Sequence, residues 1–139
     1  MPSMLQILSR CHTVVYRATG GRIGGRIGKA RVLILGTTGK RTGLNRSTPL
    51  LYFEDGRALV IVGSNGGRDK MPAWFHNLKA DPAVTAQIGA ERRGLRAREA
   101  AGAERERLWP MALSTYRSYE TYQARTERRI PLIILDPAA

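Results

Sequence analysis

The chain has one cysteine, Cys11, so no internal disulfide can form. Its two histidines, His12 and His76, stand far apart in sequence without a partner motif, which argues against a structural zinc site. No apolar run approaches the roughly 20 residues that span a bilayer. The N-terminus lacks the basic region and long apolar stretch of a secretory signal. Aromatics are 6% of residues, too few to lay out stacking platforms for nucleic acid. Most telling, no Asp or Glu precedes Glu54, although nine Lys or Arg residues do.

Those nine bases supply most of the net charge of +12, because the 86 residues after Phe53 carry 14 bases against 11 acids. A field polarised in this way concentrates anions at one part of the surface. The length of 139 residues suits a single domain able to bury a core without metal or disulfide. Its division is expected to be an N-terminal helix within 1–19 and a β-rich body over 20–139.

Ser3 and Gln6 have capping-box spacing, and Met4, Leu5, Leu8, His12 and Val15 recur at helical intervals, predicting a helix over 4–18. A tandem Gly-Gly-Arg-Ile fills 20–27, either as a flexible connection or as an ordered loop offering Arg22 and Arg26 to an anion. Strands are expected at 31–37, 48–53, 58–63, 83–88, 92–100 and 130–135, with Pro131 at an edge or strand start. Pro72 starts a short helix at 72–79. A longer helix over 102–127 is expected to bend at Pro110. Strands joined by short hairpins predict an α+β fold, mainly β: an antiparallel sheet or barrel flanked by helices. The missing βαβ alternation disfavours a doubly wound sheet.

Three segments carry chemistry. Gly39-Lys40-Arg41-Thr42-Gly43-Leu44-Asn45-Arg46 joins two strands and combines fixed positive charge with glycine-freed backbone. It is no Walker A loop, because Arg41 follows the Lys and no helix follows the turn. A solvated hairpin tip is the competing reading. Gly63-Ser64-Asn65-Gly66-Gly67 is a second Gly-rich turn leaving a strand, and two such turns could converge on one elongated ligand. Tyr116, Tyr119 and Tyr122 fall at i, i+3 and i+6 on the last helix, either packed on the sheet or walling a pocket. No nucleophile–base pair or carboxylate pair stands out, so a cofactor-borne reaction gains by elimination.

Taken in order, Leu35 to Leu50, Val62 to Gly67 with Pro72 to Leu78, and Tyr116 to Tyr122 with Arg129-Ile130-Pro131 resemble the hallmarks of the deazaflavin-dependent nitroreductase family. The resemblance spans about residues 20 to 136. It implies a split β-barrel, the coenzyme F420 (FMN being the second choice), and hydride delivery to a quinone, activated alkene or nitroaromatic. Carried over by position, Gly39, Lys40, Arg41, Thr42, Gly43 and Arg46 would hold the coenzyme's phosphate and tail. Pro49, Gly63, Ser64, Asn65, Gly66, Ala73 and Asn77 would line the deazaflavin. Ser64, Tyr116, Tyr119 and Tyr122 would border the acceptor, with a phenol such as Tyr119 donating a proton. Relatives often carry Lys where Asn65 stands and Tyr where Phe75 stands.

The partner expected is a small-molecule electron acceptor rather than nucleic acid, with the protein a monomer or homodimer. A cytoplasmic location is expected. Peripheral membrane contact through the N-terminal helix stays open, because Leu5, Leu8 and Val15 oppose Arg10 and Arg17. A non-catalytic carrier of F420, FMN or another anion remains an alternative, as does a basic nucleic-acid or membrane-surface module.

Overall fold

The computed structural model describes residues 12–17, 19, 26–27 and 30–138. Six antiparallel strands close a barrel: β2 (Ala30–Thr38), β3 (Asn45–Asp55), β4 (Ala58–Val62), β5 (Ala83–Ile88), β6 (Glu91–Glu99) and β7 (Leu132–Pro137). Around the barrel the order is β2, β3, β4, β7, β6, β5, and β5 pairs back onto β2. A two-residue strand, β1 (Arg26–Ile27), extends the edge by pairing with Arg31 and Ala30. Part of the Gly-Gly-Arg-Ile tandem is therefore ordered strand. Ser3, Leu5, Gln6, Leu8, Arg10 and Arg22 lie outside the described residues, and helix is described at 12–17 and at Thr19.

The apolar runs make sense as walls buried on two faces. Leu33 and Leu35 of β2, Leu59 and Ile61 of β4, and Ile133 and Leu135 of β7 fill the barrel interior. The same core takes Trp74, Phe75 and Leu78 from helix α1 (Ala73–Ala80), which plugs one end. Alternate residues Val60, Val62, Leu132 and Ile134 face outward beneath helix α2 (Gly102–Thr115) and helix α3 (Ser118–Ala124). Each such Leu, Ile or Val contributes about 1.5–3 kcal/mol when removed from water. A strand sandwiched on both sides reads as a continuous apolar run, not as alternation.

A second outward face, Val32 and Ile34 of β2, is covered by Tyr16 of the N-terminal helical segment. The Tyr16 hydroxyl donates to the Gln87 carbonyl at 3.2 Å and accepts from the Gly89 amide at 2.7 Å. Arg17 donates to the Ser47 hydroxyl at 2.9 Å. Residues 12–17 are thus pinned to the β5–β6 turn and to the start of β3.

One expectation about the C-terminal half is corrected. Helix α2 continues through Pro110, and the break comes at Tyr116, whose φ of −151° and ψ of 102° are extended. Pro110 and Glu106, whose carbonyl loses the Pro110 N–H, both face solvent, where water can replace the missing bond. The last strand is central, flanked by β4 and β6. Pro131 immediately precedes it, so of the two positions expected for this proline the strand start is the one observed, and its carbonyl accepts from the Gly63 amide at 2.9 Å.

Candidate functional site

The barrel is split where β3 and β4 part. Their ladder runs from Asp55–Ala58 to Tyr52–Ile61 and ends there. Residues 45–51 of β3 keep β2 on one side and, among the described residues, no strand on the other. Pro49 tolerates this position because an open edge needs no ladder N–H from it. Into the gap fall Pro49, Leu50 and Leu51 from β3, Val32 from β2, Val62 at the end of β4, and Ser64 and Gly66 from the turn beyond. Tyr116, Tyr119 and Tyr122 close one side and His12 closes another, leaving a cleft of about 260 Å³. The four residues expected to border an acceptor are therefore brought together. His12 was not among them, because only docking of the N-terminal segment brings it there.

The tyrosines do not lie on one straight helix. Tyr116 sits in the α2–α3 break, with Tyr119 and Tyr122 on α3, and this folds three rings into one cluster. Tyr116 and Tyr119 meet edge to face at 5.1 Å, and Tyr119 and Tyr122 at 6.4 Å. The Tyr116 and Tyr122 hydroxyls lie 3.4 Å apart and share a hydrogen bond. Hydrogen bonding from Tyr122 and then from Ser118 lowers the Tyr116 pKa, whereas the Tyr122 pKa rises. Tyr119 is 5% exposed, and burial pushes its pKa strongly up. Tyr119, expected as a proton donor, lines the cleft with a buried phenol.

The basic turn lies at the other end of β3's open edge. The Gly39 amide donates to the Leu44 carbonyl at 2.7 Å, and the Gly43 amide to the Gly39 carbonyl at 2.8 Å. Asn77 fastens the turn to helix α1: its Oδ1 accepts from the Lys40 amide at 2.9 Å, and its Nδ2 donates to the Thr37 hydroxyl at 3.3 Å. Asn77, expected to face a deazaflavin, spends its polar atoms on this bracket. Lys40, Arg41, Thr42 and Arg46 are exposed, and none of the three cations forms an ion pair among the described residues. Elsewhere arginines do pair, as Arg107 does with Asp55 at 2.8 Å. Ala73 is exposed at the start of α1.

Two residues that depart from the family pattern fit their surroundings. Asn65 has φ 47°, a left-handed conformation that Asn adopts more readily than most residues, and its Nδ2 donates to the Lys70 carbonyl at 2.9 Å. Phe75 is packed in the barrel core.

The model of the family described as F420H(2)-dependent quinone reductase matches residues 8–137. The chain belongs to this family. It is 42% identical to the F420H(2)-dependent quinone reductase Rv1261c of Mycobacterium tuberculosis, over 92% of this chain and 89% of that protein. Among solved structures it is similar to an F420-H2 dependent reductase, FDR-A, with a TM-score of 0.70 and 38% identity, over 76% of this chain and 93% of that one. A domain-swapped dimer matches with a TM-score of 0.73 and 32% identity, over 96% of this chain and all (100%) of that one.

As a member of the F420H(2)-dependent quinone reductases, the chain is an oxidoreductase whose cofactor is coenzyme F420. The residues present fit that group. Three exposed cations on and beside an ordered turn, without an ion pair among the described residues, suit a phosphate and a carboxylate tail. An apolar cleft edged by hydroxyls suits a flat ring and a planar acceptor. Among the described residues, no helix is long and apolar enough to cross a membrane.

Proposed function

We propose that Lys40, Arg41, Thr42 and Arg46 hold the phosphate and carboxylate arm of F420, while the tyrosine-walled cleft takes its ring and a quinone together. The observation that carries this division is the open edge of β3. From Arg46 to Leu51 the strand advances about 17 Å at the usual rise, linking the charged turn to the cleft along one unpaired edge. An elongated molecule, anionic at one end and planar at the other, matches this layout.

When bound, the reduced coenzyme supplies the hydride. The chain's own part is to bind, orient and exclude water. Pro49, Leu50, Leu51 and Val62 offer an apolar floor, which strengthens polar contacts made within it. Ser64 and the Tyr116–Tyr122 hydroxyl pair border the same space and can donate to an acceptor oxygen as it gains negative charge. Either hydroxyl of that pair can donate the proton, and Tyr119 contributes a buried ring that packs against the other two.

Fluorescence titration with oxidised F420, followed by reduction of menadione with reduced coenzyme, tests the assignment. Saturable binding and turnover are expected. Replacing Tyr116, Tyr119 and Tyr122 together with Phe should lower kcat/KM for menadione by about 10²-fold or more, the usual scale of positioned acid catalysis. Unchanged turnover would remove the hydroxyls from the mechanism.

A further inference from the structure

A side chain near the C-terminus sets the shape of the Gly-rich turn at residues 63–68. Arg128 Nε donates to the Arg68 carbonyl at 2.8 Å, Nη1 to the Gly63 carbonyl at 3.1 Å, and Nη2 to the Ser64 carbonyl at 2.8 Å. Nη1 also reaches the Met71 sulfur at 3.3 Å. Three carbonyls of one turn thus converge on one guanidinium, which forms no ion pair among the described residues. A planar fork of five donors can serve them at once, whereas a Lys ammonium is a single point with different reach.

The turn that Arg128 grips has an unusual backbone. Ser64 is right-handed, at φ −71° and ψ −35°, and Asn65 and Gly66 follow at φ 47° and 65°. Right- and left-handed residues in succession turn their amides to one concave side. The turn's own bonds use the amides of Gly67 and Arg68, donating to Ser64 and Asn65. Among the described residues those of Asn65 and Gly66 have no hydrogen-bond acceptor, and Ser64 and Gly66 line the cleft. The segment carrying Arg128 is itself fixed: Gln123 donates to the Arg128 carbonyl at 2.8 Å and accepts from the Ile130 amide at 2.9 Å.

We propose that Arg128 is a positioning residue for the reaction, holding the carbonyls of the 63–68 turn so that Ser64 and the amides of Asn65 and Gly66 stay presented to the cleft. This rests on the coenzyme and acceptor meeting in that cleft. Without the guanidinium, three carbonyls, two of them in partly buried contacts, lose a charged donor together, which favours rearrangement of the turn.

The test uses R128A and R128K in the full chain. In the protein without coenzyme, hydrogen exchange at the bonded amides of Gly67 and Arg68 should speed up about tenfold or more in R128A, while amides of β4 and β7 keep wild-type protection. The same variant should raise the Kd for oxidised F420 or lower menadione turnover about tenfold, and millimolar guanidinium should restore part of the loss where sodium chloride restores none. R128K should recover less than half of either effect. Exchange at Gly67 and Arg68 matching wild type in R128A overturns the proposal. Should R128A fail to fold, R128K decides, and wild-type behaviour in both assays then overturns it. A wild-type protein that does not bind F420 sinks the functional reading instead and leaves the exchange measurement standing.

Discussion

Gly67 lies so close to the Tyr122 backbone that a Cβ on it would sit 2.8 Å from the Tyr122 carbonyl oxygen and 2.9 Å from its Cα. Its φ of +81° adds a second demand that only glycine meets without strain. The Gly-rich turn and the tyrosine helix are thus wedged together at the mouth of the cleft. Gly67→Ala should destabilise the fold by about 1–3 kcal/mol, read as a lower urea midpoint. It should also disturb acceptor kinetics, because Tyr122 must move or the turn must.

Neutralising the basic turn should separate binding from stability. Lys40→Gln, Arg41→Gln and Arg46→Gln combined remove three exposed cations that have no acidic partner among the described residues. Surface changes of this kind cost within about 0.5 kcal/mol of stability each. The Kd for F420 should nonetheless rise tenfold or more, equivalent to about 1.4 kcal/mol, and its dependence on ionic strength should flatten. Undiminished capture of the coenzyme by this variant would contradict the role given to the turn.

Asn77 should couple the two. Asn77→Ala strands the Lys40 amide and frees the Thr37 hydroxyl, at a cost of about 1–3 kcal/mol for the lost partners. The turn should then lose its fixed attachment to α1, and F420 affinity should fall although no charge has changed. Thermal melting and fluorescence titration of the same preparation check both halves.

Tyr119 predicts an alkaline limit. Its pKa is raised in the folded state by burial, so unfolding lets it ionise near its ordinary value of 10. Below pH 10 both states hold the proton, and the contribution is fully present. Above pH 10 the unfolded state sheds its proton first, so stability falls as pH climbs toward the folded value. Denaturant midpoints between pH 9 and 11 should show this decline in wild type and a shallower one in Tyr119→Phe. Equal slopes would mean the phenol is not buried as described.

Much of the barrel was legible because its causes are local. The apolar runs at 58–63 and 130–135 read as strands and are strands at Ala58–Val62 and Leu132–Pro137, and Gly56 with its neighbours closes the expected hairpin between β3 and β4. The basic turn and the tyrosine spacing were equally visible as residue patterns. What misled was Pro110, which a local rule makes a helix bend. The structure breaks the helix instead at Tyr116, where the chain must turn for Tyr119 to enter the outer core.

The sequence by itself determined the strand pattern, the acid-free basic turn, and the family hallmarks that name the cofactor. Each depends on residues adjacent in the chain, where composition and period act directly. Only the tertiary structure decided that β3 and β4 part after Tyr52, that Arg128 reaches back 64 residues to Ser64, and that His12 joins the tyrosines. Those contacts arise from barrel closure and helix docking, whose free energy is summed over the whole core and leaves no mark on any single stretch of sequence.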